Sequence, residues 1–396
     1  MSEYIHKNLD VTAAEVVKSG APLYPAVERV SNTAAFDLKL SDHATSDARR
    51  DEILSAPGFG KYFTDHVARV SWNADKGWHD AEIVASDSSA GGYAMNTLHY
   101  GQSIFEGLKA YRFEDGGIYT FRPEANALRF QRSAHRMALP PVPTDYFIGS
   151  IDALVRQDQA WVSEDPEKSL YLRPFEYGAE PALGVKPSGE VNYVLLASPV
   201  GAYFPQGVKP VSVWISDDFV RAAPGGTGEA KCAGNYAGSL LAQTEAAQNG
   251  CDQVVWIDAI ERKYIEEMGG MNMFFVYGSG SNARLVTPRL TGTLLPGVTR
   301  DSLLTLAGDL GYEASEGTLT IDEWRDGCAT GEISEVFACG TAAVITPVGR
   351  VDSKNSGSWT IGDGEPGEIT MKLRKALVGI QTGRATDAHN WMHRIV

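Results

Sequence analysis

One lysine in this sequence has neighbours that suit a nucleophile. Lys231 lies within residues 228–236, a segment of small residues and glycines that ends at a tyrosine. Burial disfavours the charged ammonium form, so a lysine packed among small residues can present a neutral amine to a carbonyl carbon. A lysine in a surface loop is the alternative, and it is the commoner situation for an arbitrary lysine. Lys231 is therefore a candidate nucleophile that needs support from other segments.

Two further segments could bind an anion and a cation. Pro296 and Gly297 form a turn before a helical pattern, and the unpaired N–H groups at a helix start can hold a phosphate. A plain helix cap by Thr299 is the alternative. Glu266 and Glu267 stand inside an apolar strand pattern, where a buried carboxylate needs a cationic partner such as a protonated pyridine nitrogen. A strand edge with both carboxylates in solvent is the alternative.

A third segment is a tight turn that could hold a carboxylate. Gly340, Thr341 and Ala342 lie between two apolar strand patterns. Backbone N–H groups exposed at such a turn can bind an anion. Taken alone, the triplet is better interpreted as an ordinary glycine turn. The chemistry therefore depends on whether the fold brings these segments to Lys231.

The elements that must position these segments alternate between strands and helices. They do not form a regular chain of parallel β-α-β units, which indicates a mixed α/β or α+β fold. The helix expected over 99–110 rests on Ile104, Phe105 and Leu108 at helical spacing. We expect strands over 61–72, 80–84, 170–174, 192–197, 211–215, 253–258, 264–277, 284–287 and 335–349, and helices over 99–110, 124–137, 145–162, 236–248, 300–310, 321–326 and 368–383.

The chain is long enough for two domains. Its 396 residues are about two to three times the usual length of one domain. Residues 1–55 are polar and weakly patterned and are expected to form an N-terminal extension. We expect a small domain over 56–199, a linker rich in Gly and Pro over 200–210, and a large domain over 211–396.

Composition excludes several classes of function. The net charge of −15 and the absence of a Lys/Arg run argue against nucleic acid and anionic membranes as partners. The four cysteines have no C-x-x-C spacing, so neither a zinc knuckle nor a redox dithiol is indicated, and we expect no metal. The start of the chain lacks the apolar core of a signal peptide, and no stretch is apolar enough to span a membrane. We therefore expect a soluble, cytoplasmic protein.

The candidate segments belong to a longer series of motifs that resembles one enzyme family. From Phe63 to the last helix, the chain is similar to the branched-chain amino acid aminotransferases, which are fold-type IV pyridoxal-phosphate enzymes. The first 55 or so residues are covered weakly. The motifs, in family order, are FTDH, HYGQSIFEGLKAYR, LYLRP, EPALGV, SPVGAYF, AKCAGNYAGS, EEMGGMNMFF, LPGVTR and FACGTAAV.

The resemblance implies roles around pyridoxal 5′-phosphate. Lys231 would bind the cofactor covalently as an imine and later move a proton. Tyr236 would hydrogen-bond the phenolic oxygen of the cofactor, and Glu267 would pair with its ring nitrogen. The matching phosphate ligands are Arg129, backbone groups of Val298 and Thr299, and the hydroxyl of Thr341.

The resemblance also implies a substrate pocket and a homodimer. Arg173 would bind the distal carboxylate of 2-oxoglutarate or glutamate, and N–H groups at Thr341 and Ala342 would bind the α-carboxylate. Leu183 and Val185 match a loop that reaches the site of the neighbouring subunit. The pocket residues are Phe63, Tyr100, Phe105, Tyr171, Arg173, Leu183, Val185, Tyr203 and Ala342.

The reaction that the resemblance implies is ping-pong transfer of an amino group between L-leucine, L-isoleucine or L-valine and 2-oxoglutarate. A D-amino-acid aminotransferase or a 4-amino-4-deoxychorismate lyase could use the same cofactor residues. A third alternative is a protein that binds the cofactor without turnover. Tyr171 and Arg173, together with the turn at 340–342, favour the branched-chain reaction. Gly269 and Gly270 stand where many family members have Gly-Thr, and the missing side chain predicts a roomier pocket.

Overall fold

The computed structural model describes residues 33–57, 62–73, 75–86, 95–165, 167–201 and 207–396. Residues 1–32 of the expected extension lie outside this range. Tyr203, a candidate pocket residue, and residues 202–206 of the expected linker lie outside it as well. The described part of the extension forms a short strand and one helix.

The first part of the chain builds a sheet with helices on one face. Along β7, Leu170 and Leu172 point into the apolar core, whereas Tyr171 and Arg173 point to the opposite face, as a period of two requires. The strand order is β1-β3-β2-β8-β7-β5-β6, and β4 pairs with β7. The elements are β1 (Asp37–Lys39), α1 (Asp47–Ser55), β2 (His66–Asn73), β3 (Gly77–Ala85), α2 (Asn96–Tyr100), β4 (Ser103–Phe105), β5 (Leu108–Arg112), β6 (Ile118–Phe121), α3 (Pro123–Arg136), α4 (Thr144–Gln157), β7 (Ser169–Gly178) and β8 (Glu190–Val200).

The second part builds a larger α/β layer around a mixed sheet. Its order is β11-β10-β9-β16-β15-β12-β13-β14, with β17 beside β16 and with β9 parallel to both of its neighbours. Helices cover both faces, because Leu303 packs on Phe274 and Trp324 packs on Phe275. The elements are β9 (Val211–Ile215), α5 (Ala233–Ala237), α6 (Leu240–Gln248), β10 (Gln253–Ile257), β11 (Ile265–Met268), β12 (Met271–Tyr277), β13 (Arg284–Pro288), α7 (Val298–Asp309), β14 (Glu313–Gly317), α8 (Ile321–Thr330), β15 (Ile333–Gly340), β16 (Val344–Ser353), β17 (Gly357–Thr360) and α9 (Glu368–Gln381).

The last strand returns to the first sheet. β18 (Met392–Arg394) pairs antiparallel with β6, and the backbone N–H of Arg122 donates to the carbonyl of Trp391 at 2.7 Å. The two sheets are therefore joined twice by the chain, once near residue 205 and once before β18. No helix in the described ranges is long and apolar enough to cross a membrane.

The mixed α/β fold is confirmed, and one expected helix is wrong. Instead of a helix over 99–110, the short helix α2 ends at Gly101, whose φ of +64° suits glycine, and two strands follow. Ile104 and Phe105 pair with β7, and Ile104 also bridges to Cys232. Apolar residues at short spacing fit a helix or a strand equally well, and here pairing with β7 decides.

Glu176 on β7 is a buried carboxyl group that finds no partner among the described residues. Its side chain is 0% exposed, both oxygens lack a hydrogen bond, and burial raises its pKa well above the ordinary value. In the unfolded chain the group ionises above about pH 4.3, so stability is lost as the pH rises beyond that value. The folded protein therefore holds Glu176 in its neutral form.

We predict that Glu176→Gln gains stability relative to the parent as the pH rises. Glutamine carries no titrating proton, so the advantage should grow as the pH rises above about 4.3, by up to about 1.4 kcal/mol per pH unit while the folded carboxyl stays protonated. Chemical denaturation at several pH values measures it. Glu190→Gln, at an exposed position on β8, is the control and should show no such trend. A constant difference for Glu176→Gln would contradict the prediction.

Candidate active site

Lys231 is fixed in place by its own backbone. It precedes the short helix α5, its N–H donates to the hydroxyl of Ser133 on α3 at 3.0 Å, and its carbonyl accepts from the N–H of Phe105 at 3.0 Å. Its Nζ lies 2.7 Å from the hydroxyl of Tyr236 and 4.8 Å from the centre of the Phe105 ring. The amine is only partly buried, and it is aimed between two aromatic rings at the meeting of the two sheets.

Glu267 presents a carboxylate that is almost sealed from water. It is 1% exposed on β11, and its Oε1 accepts from the N–H of Leu295 and the amide of Asn272. Burial raises the pKa of Glu267, and the guanidinium of Arg221 opposes that rise. Oε2 lies 3.0 Å from Nε of Arg221 without hydrogen-bond alignment, so this oxygen still lacks an aligned donor in the described part of the chain. The alternative in which both glutamates face solvent is wrong, because Glu266 is buried as well.

Arg221 joins this acid to the lysine segment, and the sequence analysis missed it. Its Nη1 donates to the carbonyls of Gly228 at 3.1 Å and Thr293 at 2.8 Å while its Nε faces Glu267. A Cβ at Gly228 would stand 2.2 Å from the oxygen of Thr293, so the close approach requires glycine. A single arginine in a loop carries no periodic signal, and only the buried acid predicted in the apolar strand could have suggested a partner.

The start of α7 has backbone N–H groups that no side chain caps. The N-cap is Gly297 and no side chain caps the helix, so the alternative of a Thr299 cap is wrong. The first N–H groups of a helix have no partner within it, and they carry the positive end of the helix dipole. Arg129 is buried and its Nη1 donates to the carbonyl of Pro296 at 3.1 Å. One small cavity is lined by Gly107, Lys109, Asn126, Val298, Thr299 and Thr341, among others.

The turn between β15 and β16 is held from the opposite sheet. Nζ of Lys109 on β5 donates to the carbonyl of Ala342 at 2.7 Å, and burial lowers the pKa of Lys109 to about 8. Val344 follows the turn with a φ of +62°, a strained conformation for a β-branched residue. The turn beginning at Gly340 is thus more constrained than an ordinary glycine turn. The sequence analysis did not single out Lys109.

Three side chains form a wall beside the lysine. Nη2 of Arg173 donates to the hydroxyl of Tyr171 at 2.9 Å, and its guanidinium carbon lies 4.8 Å from the centre of the Phe105 ring. The Phe105 ring in turn meets Tyr236 edge to face at 4.8 Å. Nε of Arg173 is buried and meets no acceptor among the described residues. An orphaned guanidinium N–H in an aromatic wall fits a carboxylate ligand.

Four expected pocket residues lie away from this cluster within the single chain. Phe63 is half exposed before β2. Tyr100 donates its hydroxyl to the carbonyl of Leu183, and both side chains are exposed together with Val185. We call Tyr100, Leu183 and Val185 the exposed apolar patch. At Gly270, a Cβ would come within 3.2 Å of the Tyr236 ring, so the glycine lets this ring lie close to the backbone of the turn.

The residues present fit pyridoxal phosphate. Lys231 supplies the amine, the unpaired Oε2 of Glu267 suits a protonated ring nitrogen, and the open start of α7 suits a phosphate. The hydroxyl of Tyr236 lies 2.7 Å from the lysine amine, and a Cβ at Gly270 would crowd the tyrosine ring. Each feature is a donor or an acceptor that the described residues leave available.

Comparisons with known proteins agree with this geometry. Residues 103–351 match the family model described as amino-transferase class IV. A branched-chain-amino-acid aminotransferase from Mycolicibacterium smegmatis is 57% identical over 92% of this chain and 99% of its own length. The solved Escherichia coli branched-chain amino acid aminotransferase is 28% identical with a TM-score of 0.69, covering 84% of this chain and 99% of that one. The T.th. branched-chain amino acid aminotransferase, solved with pyridoxamine 5′-phosphate, is 29% identical with a TM-score of 0.68, covering 83% and 99%.

We predict that Arg221→Met strongly destabilises the protein and that Glu267→Gln in the same chain recovers more than half of the loss. Removing one partner of a buried ion pair leaves an uncompensated charge and costs about 3–5 kcal/mol. A double-mutant cycle by chemical denaturation of the cofactor-free protein measures it. Arg49→Met, which breaks an exposed pair with Glu52, is the control and should cost less than about 1 kcal/mol. Strict additivity of the two buried substitutions would contradict the pairing.

Proposed function

We propose a reaction for this chain, which belongs to the amino-transferase class IV family and, within it, to the branched-chain-amino-acid aminotransferases. The enzyme uses pyridoxal 5′-phosphate. It transfers the amino group of L-leucine, L-isoleucine or L-valine to 2-oxoglutarate in a ping-pong cycle. The observation that carries the proposal is the 2.7 Å contact between the Lys231 amine and the Tyr236 hydroxyl, beside the buried acid Glu267.

The cofactor site is assembled from groups that each act on a different atom. When bound, pyridoxal phosphate supplies an electron sink for the bond broken at the substrate Cα. Lys231 would bind the cofactor through its amine and move the proton, as its Nζ stands 4.8 Å from the centre of the Phe105 ring and 5.1 Å from that of Tyr236. Tyr236 orients that amine through its hydroxyl. Glu267, whose ionised form Arg221 favours against the effect of burial, would keep the ring nitrogen protonated.

The phosphate and the substrate carboxylates are bound by donors from both sheets. The N–H groups of Val298 and Thr299, the hydroxyl of Thr341 and the side chain of Arg129 support a phosphate site at the start of α7. N–H groups at Thr341 and Ala342 are proposed to bind the α-carboxylate. Lys109 keeps their turn in place through its bond to the carbonyl of Ala342.

The side chains beside Lys231 allow one pocket to bind both an apolar and an acidic substrate. The Phe105 and Tyr171 rings offer apolar contact to a branched aliphatic side chain. Arg173 offers its orphaned Nε to the distal carboxylate of 2-oxoglutarate. We propose that the guanidinium is used only in the half-reaction with the acidic partner, and that the rings are used in both.

A homodimer is part of the proposal. In the exposed apolar patch, Leu183 and Val185 lie on the loop that the family resemblance places at the site of a neighbouring subunit, and Tyr100 donates to the carbonyl of Leu183. A second copy would cover these side chains, and Phe63 is expected at the same pocket.

We also propose a cytoplasmic location, and a division into a small domain over 56–199 and a large domain over 211–396. The two sheets support that division.

We predict that Lys231→Ala abolishes turnover and the visible absorbance of the bound cofactor. The covalent link and the proton transfer both need this amine, so kcat with L-leucine should fall on the order of 10⁴-fold or more. Absorbance spectra and a coupled assay measure the two effects. Lys354→Ala, at a surface lysine paired with Asp218, is the control and should keep both. Normal turnover by Lys231→Ala would sink the assignment.

We predict that Arg173→Gln impairs the two half-reactions unequally. Loss of the guanidinium should raise KM for 2-oxoglutarate about 10- to 100-fold, the value of a hydrogen bond to a charged group. The half-reaction with L-leucine should change less than about threefold, since the side chain of leucine makes no such bond. Single-turnover absorbance changes with each partner measure the split. Equal losses in both half-reactions would show that Arg173 supports the pocket as a whole.

A further inference from the structure

Glu106 is a buried acid that the proposed reaction does not use. It lies between β4 and β5, is 0% exposed, and accepts from Asn126 at 2.8 Å and from the N–H of Gly107 at 3.2 Å. Burial raises the pKa of Glu106, but Arg129, with contributions from Lys231 and Asn126, brings it below its ordinary value. A carboxylate ion is therefore kept at the centre of the small domain.

The main partner of this carboxylate is Arg129. Nε donates to Oε1 at 2.6 Å and Nη2 donates to Oε2 at 2.8 Å, which is the two-point pairing that fixes the plane of a guanidinium. The third nitrogen, Nη1, reaches the carbonyl of Pro296 in the other sheet's layer at 3.1 Å. Gly297 and the start of α7 follow directly. One rigid chain of bonds thus runs from β4 to the proposed phosphate site.

The backbone at Gly297, where the loop meets α7, is closely packed. A Cβ there would stand 2.0 Å from Oδ1 of Asn272, the residue whose amide contacts Glu267. The loop at Pro296 and Gly297 is thus packed against Asn272 on the side of Glu267, and Arg129 holds it on the other side. A small rotation of the guanidinium would move the carbonyl of Pro296 and, with it, the first N–H groups of the helix.

We infer that Glu106 is a positioning residue for the cofactor phosphate: it orients Arg129, which fixes the loop at Pro296 and the N–H groups at the start of α7. The inference rests on the proposed function, because it presumes that a phosphate binds at that helix start. Glu106 itself is not among the residues proposed to contact the cofactor or the substrate. Its effect should therefore fall on recognition of the phosphate and spare the rest of the cofactor.

The test compares pyridoxal 5′-phosphate with pyridoxal, which lacks the phosphate. Dissociation constants of both are measured by absorbance titration of the cofactor-free full chain. Glu106→Gln keeps the volume but turns an amide donor towards the donors of Arg129. We expect the preference for pyridoxal 5′-phosphate over pyridoxal to fall about tenfold or more, the value of a charged hydrogen bond, with the affinity for pyridoxal unchanged.

Glu82→Gln is the matched control. Glu82 is a buried acid on β3, paired with Arg69 at 2.7 Å, and it lies outside the site described above. Both variants should lower the unfolding temperature, but Glu82→Gln should leave the preference within about twofold of the parent. A general loss of stability would change both ligands alike, whereas a positioning role changes only the phosphate-bearing one.

The outcomes separate this inference from the proposed function. An unchanged or increased preference in Glu106→Gln, with tight binding by the parent, overturns the role of Glu106 alone. A parent protein that shows no preference for the phosphate overturns the proposed phosphate site itself. If Glu106→Gln fails to fold, Glu106→Asp is measured in the same way. Aspartate keeps the charge, but its carboxylate lies one methylene further from Arg129. The preference for pyridoxal 5′-phosphate should again fall. An unchanged preference overturns the inference.

Discussion

The site depends on the burial of one carboxylate, that of Glu267, away from water. Glu267 is charged only if other groups replace its hydration, because burial by itself favours the protonated form. Arg221, the N–H of Leu295 and the amide of Asn272 replace it. Arg221 also grips the carbonyl of Gly228, three residues before the nucleophilic lysine. Because Glu267 needs Arg221 as its partner, the same arginine also holds the loop that carries Lys231.

The two sheets contribute different kinds of group, and neither holds a complete site. The second sheet and its loops provide Lys231, the acid proposed to pair with the ring nitrogen, and the two turns proposed to bind anions. The first sheet and its helices provide Phe105 and Arg173, together with two cations. Those cations, Lys109 and Arg129, each donate to a backbone carbonyl at one of these turns. A peptide unit is planar, so holding its carbonyl also orients the adjoining N–H groups. The cations of the first layer therefore orient the N–H groups of the turns in the second layer.

The sequence was most informative where several motifs agreed. The resemblance to class IV aminotransferases is confirmed, and so are the mixed fold and the buried acid on β11. The helix expected over 99–110 failed because pairing with β7 overrode local spacing. Arg221, Glu106 and Lys109 escaped notice because a lone charge has no period, and its burial is a property of the packed sheets. Side-chain partners more than twenty residues apart need the fold itself.

The closing strand of the chain has a consequence for biosynthesis. Met392 pairs with Phe121, so 271 residues separate two neighbours in one sheet. While the ribosome is still making the second layer, β6 presents a free edge to anything nearby. That edge can be sealed only after β18 has been made. Until then the nascent chain carries an unfinished sheet, and the open edge of β6 can pair with a wrong strand.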